Sequence, residues 1–110
     1  MSRYNQYKIM WTLVLFDLPT ETKLQRKAAA RFRKDLVADG FSMFQFSIYI
    51  RHSPSRENSD VHVKRVMRSL PNDGHVCIIR LTDKQFNDIL VFNQTGIIEP
   101  PRESFQLELF

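Results

Sequence analysis

Trp11–Pro19, WTLVLFDLP, is the stretch on which the fold turns. An apolar run this short, rich in Leu, Val and Phe, predicts a strand buried on both faces and not a helix. Asp17 stands at its C-terminal end, Pro19 breaks it, and a segment crowded with lysine and arginine follows. Thr20 is placed to cap a helix that runs to about Asp39 and is ended by Gly40. Residues 41–51, FSMFQFSIYIR, alternate Phe44, Phe46, Ile48 and Ile50 with other residues, which predicts one or two strands. His52–Asn58 reads as a polar loop holding Ser53, Pro54 and Ser55. Ser59 then caps a second helix whose apolar side is Val63, Val66, Met67 and Leu70. Pro71-Asn72-Asp73-Gly74 is a turn, and His75–Leu81, HVCIIRL, is another buried strand.

The order strand, helix, strand, strand, helix, strand predicts an α+β fold. It is a ferredoxin-like βαββαβ sandwich, an antiparallel sheet with both helices on one face. The other face is left apolar and open, and a homodimer is the simplest cover. Beyond residue 81, Thr82–Asn87 reads as a short helical turn and ILVFN (89–93) as a strand. Glu99-Pro100-Pro101 is a stiff spacer, after which Phe105, Leu107 and Leu109 alternate with Gln106 and Glu108. The chain thus divides into a ferredoxin-like domain at 1–93 and a C-terminal tail at 94–110 with an added strand. That strand either pads the domain's own sheet or adds to the edge of another protein's, and the partner-binding reading of Phe105, Leu107 and Leu109 is preferred.

At 110 residues and 43% hydrophobic the chain is one domain with a real core. No run approaches the roughly 18–20 apolar residues of a membrane span. The N-terminus, MSRYNQYKIM, lacks the apolar core of a signal peptide. Cys77 is alone, so neither an intramolecular disulfide nor a cysteine-built metal site is available. A cytoplasmic protein without a membrane partner is expected. The net charge of +4 tilts the partner toward polyanions.

Asp17 emerges where the strand leaves the core, either as a turn residue bonding nearby amides or as a ligand-facing carboxylate. One carboxylate holds magnesium poorly, but a twofold dimer would bring two copies together. The helix that follows is the stronger signal. At about 100° per residue, Leu24, Ala28, Ala29, Phe32 and Leu36 fall on one side. Lys23, Arg26, Lys27, Arg31, Arg33 and Lys34 spread across the other. A solvated face ordinarily mixes signs for i, i+4 pairing, and this one is nearly all positive, which suits sequence-blind phosphate binding. Lys64, Arg65 and Arg68 on the second helix, with Arg51 and Arg56 before it, are weaker candidates. His52, His62 and His75 have no ligand-like spacing, which argues against zinc. His52, beside Arg51, reads as a loop histidine with a lesser case as general base or phosphate contact. No nucleotide-binding glycine motif or nucleophile elbow occurs. Phe41, Phe44, Phe46 and Tyr49 fit core or dimer interface better than RNA-stacking positions.

Phe16-Asp17-Leu18-Pro19, the basic helix, Gly40 and Gln45-Phe46-Ser47-Ile48-Tyr49 together resemble the CRISPR-associated endoribonuclease family, the small adaptation subunit of CRISPR systems. The likeness runs through nearly the whole chain and is nearest to the versions of type II (Cas9-type) systems. It implies a ferredoxin-like homodimer whose C-terminal strand packs on the other subunit's sheet. It implies that Asp17 is the family's strand-end aspartate, catalytic and magnesium-binding, paired across the twofold axis. It also implies partnership with the CRISPR integrase, two dimers of which the small dimer bridges while supporting a DNA duplex before its insertion. Ser47 matches a family position near that aspartate and receives no role. Two functions stay open: a metal-dependent endonuclease cutting RNA or DNA through Asp17, and a non-catalytic bridge that binds double-stranded DNA. One acidic ligand per chain, ample positive surface and a spare strand favour the bridge. An unrelated ferredoxin-like RNA-binding or toxin-type ribonuclease domain is the lesser alternative.

Overall fold

The computed structural model describes residues 8–93 and 96–98. In chain order the elements are β1 (Met10–Asp17), α1 (Lys23–Ala38), β2 (Ser42–Gln45), β3 (Ile48–Ser53), α2 (Arg56–Arg68), β4 (His75–Thr82), α3 (Asp83–Asn87), β5 (Val91–Asn93) and β6 (Gly96–Ile98). The four-stranded sheet runs β2-β3-β1-β4 with every pair antiparallel, the arrangement expected of a βαββαβ sandwich. Strand β1 lies in its centre, pairing with β3 and with β4. Its alternate side chains therefore enter two different cores. Val14 and Phe16 face the α1–α2 layer and pack with Phe32, Leu36, Phe41, Tyr49 and Val66. Trp11 and Leu13 face the other way and pack with Ile50 and Phe86.

Phe86 comes from α3, which covers part of the face expected to be open. Its ring stacks on Trp11 at 4.0 Å between centroids. The Trp11 indole Nε1 donates to Asp83 Oδ1 at 2.8 Å. Thr82 caps the short helix, accepting from the Gln85 amide while the Gln85 side chain accepts from the Thr82 amide. Among the described residues, cover stops halfway along the strands. Leu15 and Ile48, directly opposite each other, are half-buried, while Cys77 and Ile79 across from β1 are exposed. Strands β5 and β6 form a separate antiparallel hairpin, with Phe92 and Ile97 exposed. Phe105, Leu107 and Leu109 lie outside the described residues. Among the described residues no helix is long and apolar enough to cross a membrane.

Both long helices begin elsewhere than the sequence predicts. Thr22, not Thr20, caps α1, because Gln25 three residues on completes a capping box that Thr20 does not have. Ser55, not Ser59, caps α2, accepting from the Asn58 amide. Ser59 is instead buried inside the helix, bonded to Thr12 at 3.0 Å. The buried stripe of α2 is Ser59, His62 and Val66, and Met67 and Leu70 are exposed. The apolar stripe of α1 is likewise narrower than expected, since Leu24 is 78% exposed and Ala28 lies in solvent. Strand β3 also runs further than read, to Ser53, so His52 is a strand residue and not a loop one.

His52 is buried edge-on against Trp11, 4.6 Å between centroids, and neither ring nitrogen has a hydrogen-bond partner. Burial pushes its pKa below the ordinary 6.5; Asp83 opposes that shift and Arg51 adds to it. The unfolded chain therefore takes up this proton at a higher pH than the folded one does. The corresponding stability is fully present above about 6.5 and is lost as pH falls through the depressed native value. Thermal denaturation should show this as a drop in melting temperature between pH 7 and pH 5 that shrinks in His52→Phe.

Candidate nucleic-acid interface and metal site

Asp17 is the last residue of β1 and is exposed. Odd-numbered positions of β1 share one face, so Asp17 continues the Trp11, Leu13, Leu15 row past the half-covered surface. His75 is its cross-strand partner on β4 and is exposed as well. Gly74, at φ 93°, holds this strand end close: a Cβ there would lie 2.7 Å from the Asp17 carbonyl oxygen. On the other side the Phe16 amide donates to the Ser47 carbonyl at 3.0 Å. Ser47 is the second turn residue of the β2–β3 hairpin and takes a left-handed conformation, φ 66°. The segment carrying Gln45-Phe46-Ser47 is thus tied to the strand that carries Asp17.

Among the described residues no group of three or more His, Cys, Asp or Glu side chains gathers to hold a metal ion. One chain presents Asp17 with His75 opposite, which is less than the oxygen-rich shell magnesium favours. A magnesium site built from these residues needs a second copy of Asp17 or oxygens from a phosphate.

Helix α1 turns Ala29, Phe32 and Leu36 to the core, which sends Lys23, Lys27 and Lys34 to its outward crest, with Arg31 on one shoulder. All four are exposed. The remaining two predicted cations are engaged within the chain. Arg26 folds back, its Nη1 donating to the carbonyls of Thr20 and Glu21 at 3.0 Å each. Arg33 is half-buried, its guanidinium 5.6 Å from the Phe16 ring centre and 5.3 Å from that of Phe46. Between α1 and α2 runs a groove of about 690 Å³ whose polar lining includes Arg31, Asp35, Asp39, Arg65 and Arg68. The crest is continuous positive surface, whereas the groove mixes signs.

A polar cluster fixes α1, and with it the crest, over the sheet. Arg51 of β3 donates from Nη2 to His62 Nε2 at 2.8 Å, so the other ring nitrogen, Nδ1, is the one that donates to Asp39 Oδ2 at 2.9 Å. Asp39, the C-cap of α1, also accepts from Arg65 at 2.8 Å. Burial pushes the Arg51 guanidinium below its ordinary pKa; the Asp39 carboxylate counters this, and Arg65 adds to it. Gly40 is what lets the cluster close, since a Cβ on it would come within 2.5 Å of Arg51 Nη1. Arg80 similarly pairs with Asp60. Arg51 and Arg65, weak phosphate candidates by sequence, are committed to this cluster.

The family model for CRISPR associated protein Cas2 matches residues 10–89. The chain belongs to the Cas2 family. A protein of Flavobacterium psychrophilum named CRISPR-associated endoribonuclease Cas2 is 54% identical over 109 residues, 99% of this chain and 95% of its own length. One of the same name from Parvibaculum lavamentivorans is 48% identical, over 92% of this chain and all of its own. Another, from Streptococcus mutans, is 33% identical over 76% of this chain and 77% of its own. The Cas2 match begins at the first residue of β1 and ends just past α3, so it spans Asp17, the crest of α1, the hairpin and the polar cluster together.

The cluster is what sequence reasoning missed. Sequence spacing marks Asp39 only as the end of a helix, and His62 as one histidine without a constellation. The adjacent Asp39-Gly40 pair at a helix end is the one local sign of it. Asp39→Ala leaves the buried His62 Nδ1–H, and the Arg65 guanidinium, without the acceptor they share. The expected cost is about 2 kcal/mol, the scale for leaving one buried donor unsatisfied, read from the urea unfolding midpoint. A shift below a few tenths of a kcal/mol would mean that the cluster is ornamental.

Proposed function

We propose that this Cas2-family chain acts in CRISPR adaptation as a homodimer that binds double-stranded DNA and bridges dimers of the CRISPR integrase. The observation that carries this reading is the exposed crest of Lys23, Lys27 and Lys34 with Arg31 beside it. Point charges on one rigid helix face suit a regular row of phosphates and read no sequence. The uncovered apolar half of the sheet, around Leu15, Ile48, Cys77 and Ile79, is the surface through which two copies would pair. The alternating Phe105, Leu107 and Leu109 are proposed to add a strand to the sheet edge of a partner, the integrase in this reading.

A second reading is supported by the position of Asp17 in the same row as that uncovered surface, and by the names of the relatives. Pairing through the surface would bring two Asp17 carboxylates toward each other and make a magnesium-dependent endonuclease, acting on RNA or DNA, chemically reasonable. The chemistry supplied by magnesium bound there is polarisation of a phosphodiester and a more acidic bound water. The part of this chain is to hold and orient: Asp17 fixed at a strand end between Gly74 and the hairpin, His75 alongside.

Two measurements test these readings. Replacing Lys23, Lys27 and Lys34 together by Glu should abolish duplex binding at moderate salt, measured by fluorescence anisotropy. Unchanged binding would remove the crest from the interface. With the cognate integrase and a repeat-bearing target, Asp17→Ala is expected to support integration of a labelled duplex as the native chain does. Collapse of integration, with the variant still a dimer that binds the integrase, would place Asp17 in the mechanism.

A further inference from the structure

A carboxylate and an imidazole face one another at the end of the sheet. Asp17 and His75 are directly opposite in the register of β1 and β4, so both side chains stand on one face. It is the face on which Cys77 and Ile79 also lie exposed. Asp17 and His75 are themselves exposed. Neither belongs to the ion pairs of the described residues, which join Asp39 to His62 and Arg65, and Asp60 to Arg80. Their backbone setting is rigid, since each sits at a strand end and Gly74 presses the start of β4 onto the end of β1. A Cβ on Gly74 would also meet Leu18 Cδ2 at 2.8 Å. Residues opposite each other across an antiparallel pair have β-carbons about 5 Å apart, so both side chains reach one ion.

The donors do not match magnesium, which takes an octahedral shell of oxygens and keeps several waters. Imidazole nitrogen suits zinc and its first-row neighbours, and a closed site for such an ion has four protein ligands. One chain supplies two. Two copies paired through the exposed face supply four, a pair of Asp17 carboxylates and a pair of His75 imidazoles. Sequence spacing hides this set, because the β1–β4 pairing and not the chain order brings residues 17 and 75 together. We propose that Asp17 and His75 of two copies form one shared site, with two nitrogen and two oxygen donors, that takes a first-row transition ion such as zinc or cobalt(II) in preference to magnesium. This rests on the pairing of two copies read above, and it adds a second ligand and a metal class to the strand end that carries Asp17.

The test uses the full chain, freed of metal with a chelator, and Co2+, Zn2+ and Mg2+ as probes. Visible absorption of bound Co2+ reports the ligand set, calorimetry gives affinity and stoichiometry, and sedimentation gives the state of association. The native chain is expected to be a dimer that binds one Co2+ between two copies. Zn2+ should displace that Co2+, and a large excess of Mg2+ should not. His75→Ala should remain a dimer and bind Co2+ at least about 10-fold more weakly, the lower end of the loss seen on changing groups one shell further out. His75→Asp, which puts back an oxygen donor, should shift the preference toward Mg2+. Cys77→Ser should leave the Co2+ spectrum unchanged. A native dimer that binds Mg2+ as tightly as Co2+, takes one ion per chain, or keeps its Co2+ in His75→Ala overturns the site and leaves the pairing standing. Loss of the Co2+ spectrum in Cys77→Ser overturns the proposed ligand set in favour of the thiol. A metal-free His75→Ala that sediments as a monomer also overturns it, and assigns the imidazole to the contact between copies. A native chain that is a monomer with and without metal overturns the pairing itself, and the shared site with it.

Discussion

Everything in this fold depends on β1 being covered on both sides. A central strand with Val14 and Phe16 on one face and Trp11 and Leu13 on the other needs two layers, not one. The first layer is α1 and α2. The second, among the described residues, is α3 with its Trp11–Phe86 stack, and it reaches about half the length of the strand. The strand end that delivers Asp17 is therefore where cover runs out. Exposure of the carboxylate and exposure of the neighbouring apolar surface have one cause.

The two helices are held in different ways, and this shapes the surface. Helix α1 is seated along its length by the apolar burial of Ala29, Phe32 and Leu36 and takes part in the polar cluster through its C-cap, Asp39, so its outward side was free to become basic. Helix α2 is seated mostly by directional polar contacts: Thr12 with Ser59, Arg51 with His62, Arg80 with Asp60. Those contacts exist because β1, β3 and β4 place Thr12, Arg51 and Arg80 side by side on the helix face. They draw cations inward that composition alone would assign to the surface.

The strands were legible in the sequence because double burial writes a continuous apolar run and half burial writes an alternation. Helix faces were less so. Hydrophobic periodicity picks Val63, Val66, Met67 and Leu70 for α2; Val66 is buried as expected, but the rest of the buried side is a serine and a histidine whose partners lie far along the chain. The Thr22 cap was available to be read, since Gln25 follows it at the capping-box spacing, and Thr20 was the weaker choice. Asp17 at a strand mouth followed from where the apolar run stops. That Arg26 turns back to carbonyls, or that Arg33 lies on two phenylalanines, depends on rotamers and on a hairpin joined only by the fold.

The seating of α2 works as a key. Sliding the helix by one turn, about 5.4 Å, would break its bonds to Thr12, Arg51 and Arg80 at once, so only one placement satisfies all of them. None of those bonds uses Lys64 or Arg68, which stay on the solvent side. Alignment and surface charge are thus written in separate residues of the same helix. Descendants of this sequence can reprogram the second without disturbing the first.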